Sequence, residues 1–436
     1  MMEAAFLTAL LAIAALLGLI ALSFPISIAL LTVGSVGLVL TRSWLYGETQ
    51  LLLNFMDQAQ NFTLLAIPLY LLMGQLVFRT GLASDLYACI YRWIGRLPGG
   101  LAVASVIASA GFGAVSGGSA GTVATLGPMC MPEMRRFNYD GGLAAASIAV
   151  SGTLAILIPP SIFMIAYGIW TETSIGALFM AGIVPGIVMT IAFSAVIVVW
   201  LILRPEMGPV GERFTWGERF TSLTKLLPIL ILFGIIIGGI YGGIFDPTEA
   251  GAIGVCGVLV IAGVMRRLTL TAIRESLHGT LQTGLMIFMV IFGGHVVSRF
   301  LVLTDVTSAI VSGMQSLDLG PYTLLVLVTL LYIVLGMVLD VWAMLILTIP
   351  FVFPVMISAG FDPVWFGVYV IIMAELCAIT PPIGLNVYIM ARIAPDISAG
   401  AIFWRVVPFF VAVLACLVLF TAFPEIVLWL PHLAYR

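Results

Sequence analysis

Four short stretches hold the residues able to do chemistry. GFGAVSGGSAGT (111–122) sets the hydroxyls of Ser116 and Ser119 around Gly117 and Gly118. SGTLAILIPPS (151–161) is interrupted at Pro159-Pro160, and LGMVLDVW (335–342) contains one acid, Asp340. CAITPPIGLN (377–386) offers Thr380, Pro381-Pro382 and Asn386. Proline removes a backbone donor and frees a carbonyl. Hydroxyl and freed carbonyl oxygens at half-helix C-termini suit a hard monovalent cation, while half-helix N-termini, positive by dipole, suit a carboxylate. The blander reading of any one break is a kink or a close helix contact. Four breaks falling in two related pairs favour the functional reading.

The composition says what must position these residues. Of 436 residues, 62% are apolar and only 8% charged, against about 45–50% and 25% in soluble domains. Mean hydropathy is +1.21. A soluble enzyme, a nucleic-acid binder and a disordered regulator are excluded, and an all-α polytopic membrane protein with roughly a dozen membrane segments is expected. Net charge is −3, so no basic field exists to attract nucleic acid. The five cysteines are scattered, without metal or disulfide spacing. The start, MMEAAFLTAL, lacks the basic region of a cleavable signal peptide and reads as a retained helix.

The chain superimposes on itself at one constant offset. Pro25 falls on Pro247, Pro128 on Pro350, Pro132 on Pro354, Pro209 on Pro431, Asp140 on Asp362, and Pro159-Pro160 on Pro381-Pro382. Chance would align about half a proline pair, so a duplication is indicated. The first repeat is 1–203, with a Gly/Ser-broken hairpin at 99–133 and a proline-broken helix at 141–170. A charged linker occupies 204–225. The second repeat is 226–436, with a hairpin at 320–356 and a broken helix at 363–391. Continuous helices are expected at 4–22, 25–41, 63–78, 177–203, 227–245, 249–265, 280–298 and 402–423, with an amphipathic piece at 82–96.

Basic residues of short loops stay cytoplasmic. One assignment puts 14 of the 17 Lys and Arg inside and leaves Arg42, Arg299 and Arg436 outside, with both termini periplasmic. The two hairpins then enter from opposite faces, so the repeats are inverted, an arrangement that places transporter sites near the midplane. Each hairpin leg is short for a full span, which favours re-entrant hairpins. Among the remaining polar residues, an intramembrane acid is functional by default, and Asp340 is read so. Glu375 either pairs with a neighbour or lines the site. His295 and Arg299, at i and i+4, read as an interfacial patch. Glu133, Arg135 and Arg136 read as a cytoplasmic anchor, and Asp246 with Glu249 as a helix cap.

Six segments resemble one family: AIPLYLLMG (66–74), GFGAVSGGSAGTVATLGPMCMPEM (111–134), GTLAILIPPSIFMIAYG (152–168), IGALFMAGIVPG (175–186), FDPTEAG (245–251) and ELCAITPPIGLNVY (375–388). They are similar to the large membrane subunit of tripartite ATP-independent periplasmic (TRAP) transporters. The resemblance implies a permease of the bacterial inner membrane, without covalent cofactor, that uses sodium as coupling ion and imports an organic acid by an elevator mechanism. It also implies two partners, a periplasmic substrate-binding protein and a small four-helix membrane subunit on a separate chain. Carried onto this sequence, Ser116, Gly117, Gly118, Thr153, Ile158 and Pro159 would serve one sodium site, and Gly336, Thr380 and Pro381, near Asp340, another. Ser119, Asp340 and Asn386 would lie nearest the substrate. The first tip reads Gly-Gly-Ser here, one hydroxyl fewer than the Gly-Ser-Ser of many relatives. Two other classes compete. A self-sufficient sodium/dicarboxylate symporter would share the hairpins but need no binding protein. An intramembrane enzyme using Asp340, Glu375 or His295 would need a catalytic motif, and none is present.

Overall fold

The structure, a computed structural model, describes residues 2–434 apart from 23, 210, 307, 310, 311 and 314–318. Among the described residues every regular element is a helix. Seven helices among the described residues are long and apolar enough to cross a membrane, and the bent pair Gly141–Leu157 and Ile162–Thr171, at 41°, would make an eighth. The architecture is all-α and polytopic as expected, but with fewer full spans than the expected dozen, because six further apolar helices are only 10–17 residues long.

The helix ends follow local chemistry. Asp246 accepts from the amides of Thr248 and Glu249 at 2.7 and 2.9 Å, and Glu249 reaches back to the Asp246 amide at 2.9 Å. That reciprocal cap starts Pro247–Val264. Asp140 and Asp362, which the sequence offset superimposes, each begin a broken helix by accepting from a first-turn amide at 2.8 Å. The legs Ser119–Arg136 and Val341–Ser358 start and stop at positions related by the same offset, and each carries two internal prolines. Both Pro-Pro bonds, Pro159-Pro160 and Pro381-Pro382, are cis.

Two helices lie outside the sequence expectations. Trp44–Gln60 forms because Ser43 caps it, accepting from the Tyr46 amide at 3.2 Å; its Glu48, Asp57 and three glutamines hide it from an apolar-run reading. Glu425–Ala434 follows a short break after Ala399–Ala422 and contains Pro431. The expected helix at 280–298 extends to Leu270–Leu303, since Thr269 caps an extra polar section holding Arg274, Glu275 and His278.

Packing sorts the helices into two groups. In the first, Ile26–Thr41 lies along Leu270–Leu303, and Pro247–Val264 lies along Ala66–Arg79. Tyr70 donates to the Pro247 carbonyl at 2.7 Å across the latter contact. We call this group the frame. In the second, the helical hairpins Gly100–Ser116/Ser119–Arg136 and Pro321–Gly336/Val341–Ser358 pack against the two broken helices, backed by Ile175–Leu203 and Ala399–Ala422. We call it the core bundle. Ion pairs Arg267–Asp85 (2.5 Å) and Arg79–Glu275 tie the frame to itself and to the connecting helix Leu82–Ile94.

The first hairpin touches the first broken helix backbone to backbone. A Cβ on Gly113 would sit 2.5 Å from the Ala155 Cα, a contact that no rotamer change can relieve. Gly113→Val is therefore expected to cost about 3 kcal/mol through forced overpacking, read as a lower midpoint in a thermal melt of the detergent-solubilised protein. An unchanged midpoint would show that this contact is loose.

Candidate functional site

Each hairpin tip is shaped by its own sequence. Gly100–Ser116 ends at Gly117, whose φ of +61° is the left-handed conformation glycine accepts at a helix C-terminus. Gly118 is extended and starts Ser119–Arg136. The Thr122 hydroxyl donates to the Gly118 carbonyl at 2.8 Å, so the Ser116 hydroxyl, 3.0 Å away, is the donor to Thr122. In the second hairpin Asp340 starts Val341–Ser358 by accepting from the Ala343 amide at 2.8 Å. The sequence offset superimposes it on Gly118.

The tips abut the breaks. A Cβ on Gly117 would lie 3.0 Å from the Pro160 carbonyl oxygen, and one on Gly336 would lie 2.6 Å from Cys377 Sγ. Asn386, fully buried just after the second break, reaches into the other half. Its Nδ2 donates to Ser119 Oγ at 2.6 Å and to the Ala149 carbonyl at 2.9 Å, leaving Oδ1 without a partner among the described residues. The hydroxyls of Thr153 and Thr380 donate to the carbonyls of Val150 (2.7 Å) and Leu376 (2.5 Å). Their oxygen lone pairs stay available.

Ser116, Gly117, Gly118, Ser119, Asp340 and Asn386 line a single cavity of about 500 Å³. Such a volume suits a small organic solute. Thr153, Ile158, Pro159, Gly336, Thr380 and Pro381 are not among its lining residues. They lie in the breaks and leg ends that support the tips, most of them buried and Pro381 exposed. The far wall belongs to the frame: Gly74, Gln75, Arg79, Thr283 and Ile287. Sequence reasoning did not assign these. The signals were modest, a glutamine and a threonine inside apolar helices. Phe163 and Trp342, rings 4.3 Å apart, close the wall between first break and second tip.

Two readings of single residues change. Glu375 is fully buried yet lies off the cavity; Thr153 faces it, and neither carboxylate oxygen has a well-formed hydrogen bond among the described residues. His295 and Arg299 do not form one patch. Arg299 donates to Gln50 Oε1 at 3.2 Å on the exposed side, whereas His295 turns inward to line a separate, smaller cavity. The Glu133–Arg136 group does bind its surroundings, through Arg135–Asp396 and Arg136–Glu212 ion pairs.

The profile of the family described as tripartite ATP-independent periplasmic transporter, DctM component, matches residues 13–426. The C4-dicarboxylate TRAP transporter large permease protein DctM of Pseudomonas aeruginosa is 32% identical over 88% of this chain and 89% of its own. The ectoine TRAP transporter large permease protein TeaC of Halomonas elongata is 32% identical, covering 97% and 99%. The sialic acid TRAP transporter large permease protein SiaM of Vibrio cholerae is 31% identical, covering 96% and 97%. Among solved structures, the YdaH transporter of Alcanivorax borkumensis superimposes with a TM-score of 0.59 over 98% of both chains, at 15% identity, which speaks to fold alone. A chain with this match along nearly its whole length, and with both hairpin tips meeting at one cavity, belongs to the large-permease (DctM) family of tripartite ATP-independent periplasmic transporters.

Proposed function

We propose that this subunit imports a small organic acid, driven by sodium, through the bacterial inner membrane. A periplasmic binding protein delivers the solute, and a small four-helix membrane subunit on a separate chain completes the complex. Both termini lie on the periplasmic side, as the distribution of arginine and lysine supports. The two halves are inverted repeats, and the core bundle moves as an elevator against the frame. The observation that carries the reading is the single cavity in which Ser119, Asp340 and Asn386 converge from both halves.

Sodium is supported by the backing of that cavity. Each tip rests on a helix break whose hydroxyl and carbonyl oxygens suit a hard cation, with Thr153, Ile158 and Pro159 behind the first tip, and Gly336, Thr380 and Pro381 behind the second. The solute class is supported by the relatives, named for C4-dicarboxylate, sialic acid and ectoine, each a compound bearing a carboxylate. Two leg N-termini, at Ser119 and Val341, point their partial positive ends toward the cavity. Membership of a tripartite family weighs against a self-sufficient symporter.

Two outcomes are expected. Sodium chloride, compared with potassium and choline chloride at equal ionic strength, should raise the melting temperature of the purified protein. A ligand at a hundredfold excess over its Kd stabilises by about 2.7 kcal/mol. The shift should shrink in Ser119→Ala and in Asp340→Asn. Equal melting in all three salts would remove sodium from the mechanism. Separately, Asn386→Leu deletes the hydrogen bonds to Ser119 of the first tip and to Ala149 of the first broken helix, and should cost about 1–3 kcal/mol and stop solute uptake by the reconstituted complex. Normal uptake by that variant would take Asn386 out of the site.

A further inference from the structure

The cavity at the hairpin tips is walled on one side by frame residues around Gly74, Arg79 and Thr283. Further along Leu270–Leu303, toward Arg299, a second cavity of about 240 Å³ separates frame from core bundle. The frame lines it with Gly294, His295, Ser298 and Val302. The leg Val341–Ser358 lines it with Ile346, Ile349, Pro350, Phe353 and Pro354, all apolar. The surfaces are in close register: a Cβ on Gly294 would lie 2.9 Å from the Ile346 side chain. Trp170, from Ile162–Thr171, completes the lining, yet one polar atom on the frame side is unmatched. His295 Nε2 is buried and has no hydrogen-bond partner among the described residues, and burying such a group unpaired is costly.

A transporter must present one site to both sides of the membrane, by moving one bundle against another. Asp340 heads the same leg whose Ile346 and Pro350 now face His295. From Asp340 to those two residues is 6 to 10 positions, about 9–15 Å at 1.5 Å per helical residue. A shift of the leg along its own axis by that length would bring Asp340, and the solute held beside it, to the height of His295 and Ser298. We infer that His295 and Ser298 form the frame wall of the solute site when it faces the opposite side, as Gln75 and Thr283 do in the present arrangement. They are specificity-determining residues for the other half of the transport cycle. The inference rests on the sliding motion proposed above, and it supplies the polar partners that His295 lacks here.

The test is a pair of engineered cysteines in a transport-active variant whose five native cysteines are replaced, reconstituted with both partners. A protease site inserted between residues 303 and 321 lets a cross-link be read as two fragments that stay joined without reductant. His295→Cys with Pro350→Cys reports the present arrangement and should join at rest. His295→Cys with Ala343→Cys, three residues past Asp340 on the leg and one helical turn before Ile346, should join only during sodium-driven turnover. If the resting pair joins and the second pair never does, while the uncross-linked protein still takes up solute, the inference is overturned and the proposed function stands. A second readout needs no cysteine replacement. In Asp340→His, zinc should bridge the introduced imidazole and His295 and raise the melting temperature, and adding His295→Ala should abolish the rise. No zinc effect in Asp340→His, or an equal effect in the double variant, would also overturn it.

Discussion

A backbone amide or carbonyl at membrane depth must find a partner within the protein or face enclosed water. This chain interrupts its apolar helices at two hairpin tips and two Pro-Pro breaks, and the packing around them gives those backbone groups protein neighbours. The tips do not end in lipid. Gly117 sits against the Pro160 carbonyl and Gly336 against Cys377, so each hairpin covers the break of its own half. The Asn386 amide then binds the first tip from the second half. The second group of helices exists to enclose these junctions, and the frame provides the remaining wall.

The same demand explains the cavity's character. Most of its polar groups come from tips and breaks, where backbone and hydroxyls are free, while the frame contributes a largely apolar surface that also carries Gln75, Arg79 and Thr283. A solute held by the tips keeps its polar contacts if the two bodies move relative to each other.

How far the sequence revealed this depends on the kind of signal. The tips and breaks were legible because Gly-Gly-Ser, Asp340 and two Pro-Pro pairs are improbable inside apolar helices, and their constant spacing made them a set. Asp246 and Glu249 were legible as a cap because reciprocal capping is local chemistry. Trp44–Gln60 was not, since its helix rests on Ser43 and on packing beside its neighbours, not on an apolar run. Gln75, Thr283 and His295 face cavities only because of how distant helices cross, and nothing adjacent in the chain records that crossing. Glu375 and Thr153, one from each half, face one another for the same reason.

The Asn386–Ser119 bond has a consequence for biogenesis. Its two residues are separated by 267 positions, and a ribosome adding about 5–20 residues per second needs tens of seconds to make that stretch. Throughout that interval the first tip is already synthesised but lacks the side chain that completes it. Until Asn386 is made, Ser119 in the first half has no donor from the second half. Folding cannot proceed half by half to completion, because the first half is finished only by the second.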